Sequence, residues 1–152
     1  MDQAAIETPV GIVEIGVEDS ALVSLHFVDR SDAPPDEPSG IAARVRAYFN
    51  GDLDAIDDLP VRFERGTPFQ RAVWDALRTI PPGETISYAE LARRVGRPGA
   101  YRAVGAANGQ NPVGVVVPCH RVIAADGTLG GYGGGLDRKR WLLAHEGAAL
   151  VA

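Results

Sequence analysis

Residues 87–109 read Ser-Tyr-Ala-Glu-Leu-Ala-Arg-Arg-Val-Gly-Arg-Pro-Gly-Ala-Tyr-Arg-Ala-Val-Gly-Ala-Ala-Asn-Gly. Ser87 followed three residues later by Glu90 has the pattern of a capping box and predicts a helix through Val95. Gly96-Arg97-Pro98-Gly99 breaks it, and a second helix is expected from about Ala100 to Gly109. Two short helices about a glycine-containing turn outline a helix-turn-helix. Helix pairs are common, so the outline alone assigns no function. The second helix is unusual in its lack of bulk. Ala100, Ala103, Gly105, Ala106 and Ala107 are small, and Arg102 is its only long charged side chain. Such a helix approaches another surface closely, whether a nucleic-acid groove or its own domain.

Downstream, Asn111 precedes Pro112 and is pushed out of helical geometry, which makes it a corner. The β-branched run Val113-Gly114-Val115-Val116-Val117 then reads as a short buried strand, ended by Pro118. Cys119 follows, the only cysteine in 152 residues, with His120 beside it. The thiolate is the reactive form of cysteine and a neighbouring base favours it, so the pair is a candidate nucleophile. The alternative is an inert buried cysteine. Gly127 to Leu136 is rich in glycine, but no Gly-Lys-Ser/Thr follows and no strand-to-helix GxGxxG context surrounds it. It reads as a wall with one aromatic, Tyr132. The last helix is expected from Asp137 to a stop at Gly147. Glu146 therefore falls where the helix dipole disfavours negative charge. A donor is needed there unless the carboxylate is simply exposed, and His120 is the candidate.

Upstream, Gly66-Thr67-Pro68-Phe69-Gln70 holds a cap, a proline suited to the first helical position and a capping box. Phe69, Val73, Leu77 and Ile80 give that helix an apolar stripe, and Pro81-Pro82-Gly83 stops it. Between Pro9 and Asp29 alternating residues predict two strands joined at Glu18-Asp19-Ser20, with His26 on the solvent face. A loop over 30–40, a helix from Ile41 to Asn50 stopped by Gly51, and a short strand over 59–64 complete this half. No chemistry is evident in it.

Composition narrows the classes. One cysteine excludes an internal disulfide and a Cys-rich zinc site. No run approaches the roughly 18 apolar residues of a membrane helix, and Met1-Asp2-Gln3 does not open a signal peptide. A cytoplasmic protein without membrane contact is expected. Net charge is -5, yet residues 1–65 hold 5 Arg against 14 Asp/Glu, and residues 66–152 hold 10 Lys/Arg against 6. The split, -9 against +4, puts the basic working surface on the second half.

Pro118-Cys119-His120-Arg121-Val122 resembles the active-site signature of the O6-alkylguanine-DNA alkyltransferases. The resemblance extends through Gly66 to Gln70, Ser87-Tyr88, Arg102-Ala103-Val104-Gly105, Asn111-Pro112, Gly134-Gly135-Leu136 and Leu142-Leu143 with Glu146-Gly147. It implies an α/β protein with a small strand-and-helix domain over 1–65. A helix-turn-helix, winged-helix-like domain over 66–152 would carry the cysteine. It further implies irreversible transfer of an alkyl group from O6-alkylguanine, and from O4-alkylthymine, to Cys119, once per molecule. By the resemblance, His120 activates Cys119 through a water and is held by Glu146. Tyr88 gives a proton to the departing base, and Asn111 links the second helix to the cysteine. Arg102 fills the space left by the flipped nucleotide, with Ser87, Tyr88, Ala103, Gly105 and Ala106 at the DNA. Tyr132, Gly133, Gly134, Val122 and Pro118 line the pocket. The implied partner is double-stranded DNA bound through the minor groove by a monomer, with no cofactor and no metal. Gly133 departs from the polar or bulky residue often found there. The rival readings are a noncatalytic alkyl-lesion-binding protein and a Cys-His-Glu hydrolase.

Overall fold

The computed structural model describes residues 1–149; positions 150–152 of the expected second domain lie outside the described residues. The chain forms two units, one of residues 1–64 with 112–116, the other of residues 65–111 with the chain from 117 onward.

In the first unit β1 (Asp2–Thr8), β2 (Gly11–Glu18) and β3 (Ala21–Val28) make an antiparallel meander. Its register aligns Ala4 with Ile15 and Leu25, and Ile6 with Val13 and Phe27. One face is thereby apolar, while His26 is exposed on the other. The expected turn is present, with Asp19 at φ 51° and Ser20 at φ 62°, the backbone that matches the twist of a two-residue hairpin. Strand β1 was not expected. Only Ala4 and Ile6 are buried along it, and its pairing to β2 supplies what its own pattern lacks. Helix α1 (Ile41–Phe49) buries Ile41, Ala42, Val45, Tyr48 and Phe49.

Two expected strands are corrected. Over 59–64 there is a single bridge, Val61 to Leu22, and no strand. The run 113–117 is also not a strand. Val113 makes one bridge to Leu25, held by Leu25 N–H to Pro112 O at 3.1 Å and Gly114 N–H to Leu25 O at 3.2 Å. The chain then reverses at Val115, whose φ is 67°, and Val116 N–H donates to Gly114 O at 2.7 Å. This is a tight γ-turn, a strained geometry for a β-branched residue. Val113, Val115, Val116 and Val117 are all buried. Burial on every side writes the same apolar run as a buried strand does, so the pattern alone does not separate them.

The second unit begins with α2 (Pro68–Leu77), whose capping box is complete: Gln70 N–H donates to Thr67 Oγ1 at 3.1 Å, and Thr67 N–H to Gln70 Oε1 at 2.9 Å. Trp74 Nε1 donates to Ala107 O at 2.8 Å, pinning α2 to the end of α4 (Tyr101–Gly109). Helix α3 (Tyr88–Arg94) has only half of the expected box. Ser87 Oγ accepts from Glu90 N–H at 3.0 Å, while the Glu90 carboxylate turns to Arg93 and Arg94. Two short strands missed in the sequence, β4 (Ile86–Ser87) and β5 (Val122–Ile123), pair in parallel as Ile86–Val122 and Ser87–Ile123. Helix α5 (Leu136–His145) ends with Gly147 at φ 80°. Gly147 N–H donates to Ala144 O and Ala148 N–H to Leu143 O, the paired bonds of a Schellman stop.

Gly66 stands at φ 122°, and a Cβ built on it lies 2.6 Å from the Trp74 ring. Gly66→Ala combines a disfavoured backbone with overpacking, so urea unfolding should show a loss of about 2 kcal/mol.

Candidate active site

Pro118 has φ -83° and ψ 66°, the centre of an inverse γ-turn. Cys119 N–H accordingly donates to Val117 O at 2.8 Å. Cys119, His120 and Arg121 then form one turn of 3₁₀ helix leading into β5. A 3₁₀ turn spreads three successive side chains around its axis. All three are buried.

His120 Nε2 lies 2.9 Å from Glu146 Oε2, the pairing expected between them. Arg121 grips the same carboxylate with two bonds, Nε to Oε1 at 2.9 Å and Nη2 to Oε2 at 2.8 Å. Its Nη1 donates to Ile80 O at 2.6 Å. Burial pushes Glu146 upward, but the hydrogen bonds from Arg121 and His120 outweigh it and hold the carboxyl well below its ordinary range. Glu146 is therefore ionised and acts only as an acceptor, which assigns the hydrogen to His120 Nε2. Burial lowers the imidazole from its ordinary value despite Glu146, so His120 is neutral. Its Nδ1 is buried with no protein partner among the described residues. That nitrogen is a bare base.

Burial raises the Cys119 thiol, while a hydrogen bond from the Asn111 side chain and the charge of Lys139 act in the opposite direction. Asn111 Nδ2 also donates to Val117 O at 2.8 Å, and Asn108 Nδ2 donates to Cys119 O at 3.3 Å. The end of α4 thus holds the cysteine turn by its backbone. Tyr88, first residue of α3, is set beside that turn by the β4–β5 pairing. Burial and the nearby Cys119 raise its phenol, against a hydrogen bond from the Gly131 backbone. Gly105 and Gly130 flank its ring: built Cβ atoms would lie 3.6 Å from Tyr88 Cδ1 and 3.1 Å from its Oη, respectively. Tyr132, half-buried, is raised well above its ordinary value by burial and by Cys119. Gly133 faces open space, Gly134 O accepts from Arg138 Nη1 at 3.2 Å, and Pro118 and Val122 are buried.

Arg102, Ala103 and Ala106 are exposed on α4 and Ser87 is half-buried at the head of α3. The structure therefore gathers Cys119, His120, Glu146, Asn111 and Tyr88 in the second unit and leaves Arg102 outside that cluster. Three residues of the cluster had no expected role of their own from the sequence: Arg121, quoted only within the Pro118–Val122 motif, Asn108 and Lys139. Lys139 is fully buried, and its Nζ donates to Val122 O at 2.7 Å and Gly131 O at 3.0 Å. Burial lowers it to about 8. Its signal was present, since 139, 142, 143 and 146 share one helical stripe and a lysine on a core stripe requires a reason. Among the described residues no group of three or more His, Cys, Asp or Glu could hold a metal ion, and no helix is long and apolar enough to cross a membrane.

Fold and site together define a class: a mixed α/β protein with a buried cysteine beside a neutral histidine, which an ionised glutamate orients. Residues 68–148 match the family described as 6-O-methylguanine DNA methyltransferase, DNA binding domain, and the chain belongs to that family. It is 58% identical over 114 residues to the methylated-DNA–protein-cysteine methyltransferase of Shigella flexneri, covering 75% of this chain and 66% of that protein. To the protein of the same name from Mycolicibacterium paratuberculosis it is 47% identical over 155 residues, covering 96% and 92%. Among solved structures, Mycobacterium tuberculosis OGT in complex with DNA matches with a TM-score of 0.84 and 45% identity, covering 97% of this chain and 93% of that one.

Two substitutions test the electrostatics. Lys139→Met removes a positive charge that favours the thiolate. The pH midpoint for alkylation of Cys119 by iodoacetamide should rise; an unmoved midpoint would place Lys139 too far away to act. Glu146→Gln leaves Arg121 buried against a neutral amide, and chemical denaturation at pH 7 should show a loss of about 3–5 kcal/mol. The sign of the pH effect follows from the depressed carboxyl: its stabilisation is complete above the ordinary carboxylate range and fades on acidification. The variant's disadvantage should therefore shrink as pH falls below about 4.3.

Proposed function

We propose that this chain repairs DNA by accepting the alkyl group of O6-alkylguanine, and of O4-alkylthymine, onto Cys119. The observation that carries the reading is the pairing of a buried thiol with a neutral His120 whose Nε2 is committed to Glu146. That leaves Nδ1 as the base. The thiol proton passes through a water to Nδ1. The sulfur forms a bond to the alkyl carbon as the carbon–O6 bond breaks, and its electron pair leaves with the guanine. Tyr88, kept protonated by its raised value, donates a proton to the departing base. Exchange with solvent then restores Tyr88 and His120, so the net proton moves from thiol to guanine. The product is a thioether with no route back to a thiol, and each molecule reacts once.

Helices α3 and α4 serve as the helix-turn-helix of a winged-helix-like domain. The exposed small residues Ala103 and Ala106 let α4 approach the minor groove. The target nucleotide leaves the stack to reach the buried sulfur, as chemistry on a base requires, and Arg102 occupies its place. The relative crystallised with DNA supports DNA as the partner. Residues 1–65 have a supporting role, and the cytoplasm is the expected site of action.

The test is an intact mass and peptide map after incubation with duplex DNA containing O6-methylguanine. One methyl on the Cys119 peptide and none on a Cys119→Ser variant is the expected result. Methyl retained on DNA indicates a lesion-binding protein, and repeated turnover a hydrolase; either outcome overturns the proposal.

A further inference from the structure

On α4 the positions 108, 105 and 101 succeed one another along one side of the helix, separated by three and four residues. Each is placed by an observed contact or exposure. Asn108, innermost, donates to Cys119 O. Gly105 comes next, its missing side chain directed at the Tyr88 ring. Tyr101 stands outermost and is 51% exposed. Seven residues at about 1.5 Å each set it about 10 Å from Asn108 along the helix axis. Its side chain leans toward the helix N-terminus, farther from the cysteine. The other exposed side of α4, with Arg102, Ala106 and Gly109, is turned away by roughly 100°. Tyr101 is one of the large apolar side chains left exposed among the described residues, on a helix otherwise rich in alanine and glycine. It marks the outer end of a line that begins at the acceptor cysteine.

We infer that Tyr101 is a rim contact for the extrahelical nucleotide, its ring packing against the deoxyribose of the damaged residue and its hydroxyl facing the adjoining phosphate. The inference rests on the DNA-repair reading above. A nucleotide whose base lies beside Tyr88 with its alkyl group toward Cys119 must leave its sugar and phosphate outside. Gly105 lets α4 sit close against the Tyr88 ring, and Tyr101 is the next side chain met along that line. Tyrosine suits the position because it offers a flat apolar body with a polar tip and few rotamers to restrict. Arg102 and Tyr101 then have separate tasks. Arg102 fills the gap inside the duplex, whereas Tyr101 grips the strand outside it.

Three measurements on Tyr101→Ala, Tyr101→Phe and Arg102→Ala separate these tasks: methyl transfer from duplex DNA, methyl transfer from the single-stranded oligonucleotide, and alkylation of Cys119 by iodoacetamide without DNA. Tyr101→Ala should slow transfer from both nucleic acids by about tenfold, the scale of an aromatic nucleotide contact. It should leave the iodoacetamide rate unchanged. Tyr101→Phe should retain most of the rate through its ring. Arg102→Ala should slow the duplex reaction and spare the single strand, which has no stack to fill. The inference is overturned if Tyr101→Ala transfers at the wild-type rate from both substrates. It is equally overturned if the iodoacetamide rate falls in parallel, since Tyr101 would then be shaping the cysteine site. Failure of the wild-type protein to accept methyl from either substrate would instead refute the repair reading itself.

Discussion

A carboxylate buried at the C-terminal end of a helix is the constraint on which the site depends. Glu146 faces the negative end of the α5 dipole and has lost its water, two unfavourable conditions at once. Arg121 answers both with two parallel bonds, and His120 adds a third. A buried ion pair of this kind gives little net stability over an apolar replacement, but removing one partner leaves a costly orphan charge. The arrangement thus fixes geometry more than it adds stability. It ties α5 to the turn that carries the cysteine and selects the tautomer of His120. Arg121 also reaches Ile80 O, so the segment after α2 is bound to the same cluster.

Around that anchor the backbone holds the sulfur by short-range devices. An inverse γ-turn at Pro118, a single 3₁₀ turn and a two-residue strand leave Cys119 little freedom. Asn108, in the last turn of α4, donates to Cys119 O, and Asn111, just beyond that helix, donates to Val117 O. Tyr88 is positioned through the partner strand, because Ser87 both pairs with Ile123 and caps α3. One residue therefore sets the strand register and the helix start. Tyr88 and Cys119 are thereby held in a common frame.

The charges around Cys119 oppose one another in an instructive way. Burial favours the thiol, whereas Asn111 and Lys139 favour the thiolate. Lys139 itself is buried and lowered to about 8, so it holds its charge near neutrality with a modest margin. The same ammonium binds Val122 O and Gly131 O, joining β5 to the glycine-rich wall. It combines an electrostatic and a mechanical role, which is the reason for a lysine where the helix stripe calls for leucine.

Much of this protein was legible in its residues. Local chemistry wrote the helix starts at Thr67 and Ser87, the stop at Gly147 and the hairpin at Asp19-Ser20, because caps and tight turns use only neighbouring side chains and backbone angles. The awkward place of Glu146 likewise pointed to a partner before any partner was visible. Three matters depended on tertiary structure. The valine run at 113–117 is buried as turns and a single bridge, and burial alone produces its pattern. Strands β1, β4 and β5 exist through pairing with partners elsewhere in the chain, which no local preference encodes. The grip of Arg121 and the reach of Lys139 join residues through packing. Sequence determined which groups were available and where helices began; only the fold decided which charges lost their water together, and that loss is what makes their pairing selective.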